Sequence, residues 1–250
     1  MARLFGIISK SSFDLSLSIP PASPMGGGAH GWGIAWYDHL SKPHIQKGKR
    51  SAINQAQNHP ITLTLTSYLT LSHLRFASSG SITDENTHPF HFQTWTFAHS
   101  GTVHKEKLGS ALVPPYNQNY QSQPIDSEIY FRFVLQSIKQ KGEIDGIKQA
   151  ASLARDKRGA TFLLSDGNSL YAYSYGVSLY YLKWRGQKPF QQVAPATGVR
   201  YQSNQLASMP ATIVSTEKLD GNNWMVMDDG ELLVVRKSLQ YQTIKLNVTT

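Results

Sequence analysis

Short apolar runs alternate with polar, glycine-rich and serine-rich stretches along most of the chain. Residues 1–8 are apolar apart from Arg3 and read as a buried strand at the start of the chain. Residues 20–28 hold three prolines and three consecutive glycines, so they predict a loop. Residues 31–37 predict a strand. Residues 61–75 carry two strand-like pieces rich in Thr, Leu and Tyr. Residues 92–99 alternate weakly and run into Ser100-Gly101, which reads as a turn.

Helical spacing follows. Ile129, Phe133, Leu135 and Ile138 recur near a 3.6 period, so residues 126–140 predict a helix. Asp126 is placed to cap it and Gly142 to end it. Ile129 stands where a capping-box acid would sit, so only the cap remains. Residues 144–155 predict a second helix, with Ile147, Ala151 and Ala154 on one face.

Strands then return. Residues 160–165 and 170–175 flank Asp166-Gly167-Asn168 and predict a hairpin. Further strands are expected at 177–184, 211–215 and 231–235, with an edge strand at 241–248. Strands, helices and strands in that order imply an α+β or layered α/β domain. No repeat or linker interrupts it, so the chain, residues 1–250, reads as one domain.

Composition narrows the chemistry. The 250 residues include no cysteine, which excludes disulfides, thiolate metal sites and a cysteine nucleophile. No helix-spaced His pair or His/Asp cluster suggests a metal, and no motif implies a cofactor. No run reaches the length of a membrane span and no signal peptide is evident, so the expected setting is cytoplasmic. Net charge is +8, from 24 basic and 16 acidic residues. The basic residues are scattered, with short runs only at 47–50 and 155–158. No nucleic-acid motif accompanies them. A basic surface without a binding role, an anionic small substrate and an acidic partner all fit. A weak nucleic-acid or anionic-partner binding module is the remaining alternative.

Six short motifs carry the chemistry. They are 1–6 (Met-Ala-Arg-Leu-Phe-Gly), Gly31-Trp32-Gly33, 73–78 (His-Leu-Arg-Phe-Ala-Ser), 85–90 (Glu-Asn-Thr-His-Pro-Phe), His99-Ser100-Gly101 and Asp126-Ser127-Glu128. Singly each has a structural reading: a packed Trp32, or His88 and His99 as structural or surface histidines. His73 and Arg75 lie two apart and share one strand face. A buried Arg75 needs a partner, so it faces solvent or lines a polar pocket.

Together, and in this order, the motifs resemble the class II (N-terminal nucleophile) glutamine amidotransferases, in particular the small stand-alone YafJ-like type. The resemblance runs through nearly the whole chain, including 163–167 and 214–217. It implies a four-layer αββα sandwich. In that family a cysteine directly after Met attacks the glutamine amide, with its own α-amine as base. An Asn side chain and the next Gly N–H hold the oxyanion. An Arg grips the substrate α-carboxylate and an Asp the α-ammonium.

Carried onto this sequence, the Arg is Arg75, within His73, Phe76 and Ala77. The Asp is Asp126 and the oxyanion glycine is Gly101. Gly31 and Trp32 belong to the substrate-binding set. Three positions depart: Ser100 for the Asn, His30 for an Asp before Gly-Trp-Gly, and Ala2 for the nucleophile. Ser9, Ser11 and Ser12 are too far along the chain to substitute for residue 2.

The family's hydrolysis is therefore expected to be absent, while a pocket for glutamine, glutamate or a γ-glutamyl compound remains, in a regulatory or scaffold role. Arg75 and Asp126 could instead pair with each other. A Cys-to-Ala form of an active glutaminase or γ-glutamyl amide hydrolase is the alternative reading of Ala2. A partner enzyme or a homo-oligomer is an open expectation.

Overall fold

The computed structural model describes residues 2–22, 29–49, 59–76, 81–120, 124–154, 159–221 and 223–246. Two antiparallel sheets face each other. The larger is built on β1 (Arg3–Ile19), β2 (Gly31–Tyr37), β3 (Pro43–Lys49) and β4 (Ile61–Arg75). The smaller begins with β5 (Phe90–Phe92) and β6 (Trp95–Gly101). Three helices follow: α1 (Lys105–Gly109), α2 (Asp126–Lys141) and α3 (Glu143–Ala154). The smaller sheet resumes with β7 (Ala160–Ser165) and β8 (Ser169–Ser174). The larger takes β9 (Tyr180–Trp184), β10 (Phe190–Val193), β11 (Arg200–Ser203), β12 (Ala211–Ser215) and β13 (Met225–Val226). The smaller closes with β14 (Glu231–Arg236) and β15 (Tyr241–Lys245). The main path of the larger sheet is β13-β9-β12-β1-β4-β2-β3, and the smaller runs β15-β14-β8-β7-β6-β5.

Three apolar layers separate these elements. Along β1 the side chains alternate, as a strand requires. Leu4 and Ile8 enter the layer between the sheets, with Leu69, Leu71, Ala98, Leu163 and Leu170. Phe5 and Ile7 enter the layer on the outer face of the larger sheet, with Trp32, Trp184, Phe190 and Leu206. α2 and α3 cover the other face of the smaller sheet, where Tyr130, Phe131, Val134 and Ile147 meet Phe97, Phe162 and Tyr173.

Several expectations change. β1 does not stop at residue 8. Lys10, Ser11 and Ser12 are exposed and polar, which imitates a strand end. They form an irregularity between Ile8 and Phe13, after which pairing with β4 resumes at Phe13↔Ser67. The two pieces expected in 61–75 are one continuous strand opposite this long β1. Ser100 and Gly101 are not a turn: they extend β6 and pair with Thr161 and Ala160 of β7. Gly101 has φ 143°, and a Cβ there would lie 2.0 Å from the Gly159 carbonyl oxygen, so only glycine fits.

Asp126 is not the helix cap either. Ile125 holds that position without a side-chain bond, and Asp126 is the first helical residue. The segment 177–179 precedes β9 instead of joining it, and β15 ends at Lys245. Residues 43–49 pair with β2, although their polar, lysine-bearing pattern suggests no strand. Lys47 at the head of that basic run is structural: its ammonium donates to the Thr87 carbonyl at 2.7 Å. Arg50 and the run 155–158 lie outside the described residues.

Polar bonds also join the sheets. The Tyr37 hydroxyl, from β2, lies 2.8 Å from the Thr94 carbonyl, 2.9 Å from the Ser165 carbonyl and 2.9 Å from Thr96 Oγ1. Tyr68 of β4 donates to the Gly167 carbonyl at 2.7 Å. Tyr37→Phe leaves buried acceptors without their donor, so it is expected to cost about 1–3 kcal/mol of unfolding free energy. Urea denaturation measures this, and an unchanged midpoint would show that the bonds do not hold the sheets together.

Candidate functional site

The site forms where β1 begins. Leu4 is fixed from both sides: its N–H donates to Thr216 Oγ1 at 3.1 Å, its carbonyl accepts from Thr216 N at 3.1 Å, and it pairs with His73 of β4. Ala2 directly precedes this anchored stretch and is half-buried. Its carbonyl accepts a hydrogen bond from Ser100 Oγ at 3.3 Å. Ser100 belongs to β6 of the opposite sheet, so residues nearly a hundred apart in sequence meet across the sheet interface.

Arg75 ends β4 opposite Gly31 of β2 and is 4% exposed. Its Nη1 donates to the Ser81 carbonyl at 2.9 Å. Burial pulls the guanidinium pKa down, and the Asp126 carboxylate acts in the opposite direction. Asp126 approaches from the first turn of α2, and its Oδ2 accepts from Val103 N at 3.1 Å. Val103 lies two residues past Gly101, so the Asp126 carboxylate is tied to the chain leaving the Ser100-Gly101 strand end. Ala2, Ser100, Gly101, Arg75 and Asp126 are thus gathered from the start of β1 and from β4, β6 and α2.

The remaining candidates divide by face. Gly31 presents backbone beside Arg75, with Thr87 so close that a Cβ at Gly31 would sit 2.8 Å from its hydroxyl. His30 continues this register, donating its backbone N–H to the Arg75 carbonyl at 2.7 Å. Trp32 and Phe76 point the other way and pack into the outer layer with Leu74. Their side chains are not brought to the face that carries His73 and Arg75. Ala77 lies outside the described residues.

Three buried histidines stand behind the site. His73 Nε2 lies 3.2 Å from the His99 carbonyl. His99 Nδ1 lies 2.9 Å from Ser127 Oγ. The His73 and His88 rings lie 4.2 Å apart, tilted by 31°, and His88 meets Phe90 edge-on at 4.6 Å. Among the described residues His73 Nδ1, His99 Nε2 and both nitrogens of His88 have no hydrogen-bond partner. In the sequence His88 and His99 stand in separate motifs flanking a strand, and nothing near either reports that they converge with His73. Among the described residues no group of three or more His, Asp or Glu is arranged to hold a metal ion.

Similarity to known proteins gives the family and the fold. The family model for glutamine amidotransferases class-II matches residues 1–249, and the chain belongs to that family. It is 28% identical over 258 residues to "Putative glutamine amidotransferase YafJ" of Escherichia coli, covering 92% of this chain and 96% of that one. It is 27% identical over 261 residues to the uncharacterized protein MJ1515 of Methanocaldococcus jannaschii, covering 94% of this chain and 69% of the other. Among solved structures it superposes on "predicted glutamine amidotransferase from Pseudomonas aeruginosa PA01" with TM-score 0.75 at 22% identity, covering 96% and 98% of the two chains. It also superposes on glutamine phosphoribosylpyrophosphate amidotransferase from B. subtilis with TM-score 0.60 at 16% identity, covering 99% of this chain and 50% of that one. The α+β fold, with two antiparallel sheets flanked by helices, is therefore of the N-terminal nucleophile hydrolase type. With no cysteine in the sequence, the chain lacks the catalytic thiol of its family. No described helix is long and apolar enough to cross a membrane.

The histidines make stability depend on pH. Burial holds His73 down at about 3 and His99 at about 4, and it depresses His88 well below the usual range. In the unfolded chain each titrates near 6.5. Below that pH the unfolded chain binds protons that the folded one refuses, so stability falls as pH falls, down to the folded values. Each neutral imidazole contributes a slope of ~1.4 kcal/mol per pH unit in that window. Urea midpoints are expected to drop from pH 7.5 to pH 5, and His88→Leu to flatten the drop. Equal midpoints at the two pH values would contradict the neutral, buried cluster.

Proposed function

We propose that the chain binds the amino-acid head of glutamine, glutamate or a γ-glutamyl compound without hydrolysing it, and acts as a sensor, regulatory subunit or scaffold. The reading takes the fold as the four-layer αββα sandwich of the family, of the small stand-alone YafJ-like type. The observation that carries it is the asymmetry of the site. Ala2 offers no nucleophile, whereas Arg75 is retained and the Asp126 carboxylate lies close enough to act on its guanidinium.

In this reading Arg75 takes the ligand α-carboxylate through its guanidinium fork, and Asp126 takes the α-ammonium. The Gly101 N–H and Ser100 Oγ lie toward the side-chain amide. Ser100 has a shorter reach than Asn, and losing an oxyanion donor costs roughly 2.7–4 kcal/mol of transition-state stabilisation. Both the nucleophile and one donor are altered, so the chemistry is weakened at two points and head-group binding at neither. The alternative, a Cys-to-Ala form of an active glutaminase or γ-glutamyl amide hydrolase, accounts for Ala2 but not for Ser100 or His30.

Two experiments test this. A ligand that binds only the folded state raises the thermal midpoint, by ~2.7 kcal/mol of stabilisation at a hundredfold excess over its dissociation constant. Glutamine, glutamate and γ-glutamyl peptides are expected to include one that shifts the midpoint, and Arg75→Met to abolish that shift. No shift with any of them would favour an internal Arg75–Asp126 ion pair over a ligand role. The second restores the chemistry. Ala2→Cys combined with Ser100→Asn is expected to release ammonia from glutamine, and Ala2→Cys alone to do so far more slowly. Ammonia release by the unaltered chain, in proportion to its concentration, would overturn the proposal.

A further inference from the structure

The larger sheet ends in an incomplete edge. β13 covers β9 only through Met225↔Tyr181 and Val226↔Tyr180, extended by a bond from Met227 N to the Leu179 carbonyl at 2.9 Å. Leu182, Lys183 and Trp184 pair with β12 on one side. Among the described residues no strand lies on their other side. Backbone groups alternate in direction along an antiparallel strand. The Leu179 carbonyl faces β13, so the N–H and C=O of Tyr181 and then Lys183 face the same way. Among the described residues, those of Lys183 are the first without a strand beside them, where Asn223 lines the opening.

A groove of about 810 Å³ opens at this point. Lys183, Arg185 and Lys188 line it together with Trp184, Gln187 and Met225, and no carboxylate does. Exposed edges are commonly guarded by lysines that project across them. Lys183 does not do this. Its ammonium lies 3.6 Å from the centre of the Tyr241 ring and donates to the Tyr241 hydroxyl, so it is folded toward β15. The far wall is fixed as well, since Trp184 Nε1 donates to the Leu206 carbonyl at 2.7 Å. Arg185 is exposed at the rim.

We propose that this groove docks an extended acidic segment of a partner protein, which adds as a strand to the open edge of β9. The open backbone calls for a polypeptide, because strand addition gains its affinity from main-chain hydrogen bonds. The three cations call for acidic side chains flanking it. A second copy of this chain is disfavoured by its own charge of +8. Single-stranded nucleic acid is disfavoured because the Trp184 plane is buried, leaving no platform for a base in the groove.

The probe is a short fluorescein-labelled peptide of alternating Glu and Val, titrated with the whole chain at low salt and read by anisotropy. Saturable binding is expected, with none for an alternating Lys and Val peptide. Methylating alternate backbone nitrogens of the acidic peptide is expected to weaken binding about tenfold or more, and so are Lys183→Glu with Arg185→Glu. Arg185→Glu with Lys188→Glu leaves the Tyr241 contact intact and is expected to act in the same direction with an unchanged melting midpoint. Absence of binding, indifference to N-methylation, or displacement of the peptide by oligo-dT at equal concentration would each overturn the proposal.

Discussion

The close apposition of the two sheets at the start of β1 sets everything else. A side chain at Gly6 would come 3.1 Å from Leu163 Cδ1, so Leu163 of the smaller sheet packs directly onto the Gly6 backbone. Leu4 and Ile8 fill the gap on either side, and Tyr37 and Tyr68 bond across it. This contact brings the first residues of the larger sheet against the end of β6 in the smaller one. Ala2 reaches Ser100 only because the sheets are locked at this separation. Loosening the interface would dissolve the site before it unfolded the rest.

Around that point the chain concentrates groups that are costly to bury. Arg75 is nearly inaccessible, and three imidazoles are kept neutral with four ring nitrogens unsatisfied. Burying such groups costs stability, which the Ser81 carbonyl and the nearby Asp126 carboxylate offset for Arg75. The histidines are joined to one another and to Ser127, and their buried, neutral rings are the expected source of acid sensitivity. The basic groove on β9 belongs to neither group. It lies at the opposite end of the sheet order from the β2–β3 hairpin, on the far side of β12 and β1.

Much of this was legible in the sequence because the pattern was local. Residues 126–140 announced α2 to within one residue, since a 3.6 period needs no partner to be seen. The hairpin at 160–175 was equally plain. The order of short motifs announced the family, and its absent thiol, because a residue type is visible wherever it sits. What failed depended on distant contacts. Lys10 to Ser12 looked like the end of a strand because pairing with Ser67 is not written near them. Ser100-Gly101 looked like a turn because the Gly159 carbonyl that excludes a side chain lies elsewhere in the chain. Trp32 and Phe76 adjoin Gly31 and Arg75 in sequence, yet strand alternation turns their side chains to the outer face. The meeting of His73, His88 and His99 could be known only from the folded chain.

The central claim is a site that keeps its grip on an amino-acid head after losing its nucleophile. A crystal structure of the unaltered chain grown with L-glutamine tests it most directly. The account predicts an intact glutamine, with its α-carboxylate on Arg75, its α-ammonium on Asp126 and its side-chain amide toward Ser100 and Gly101. A pocket closed by a direct Arg75–Asp126 bridge with no ligand, or glutamate produced from the glutamine supplied, would contradict it.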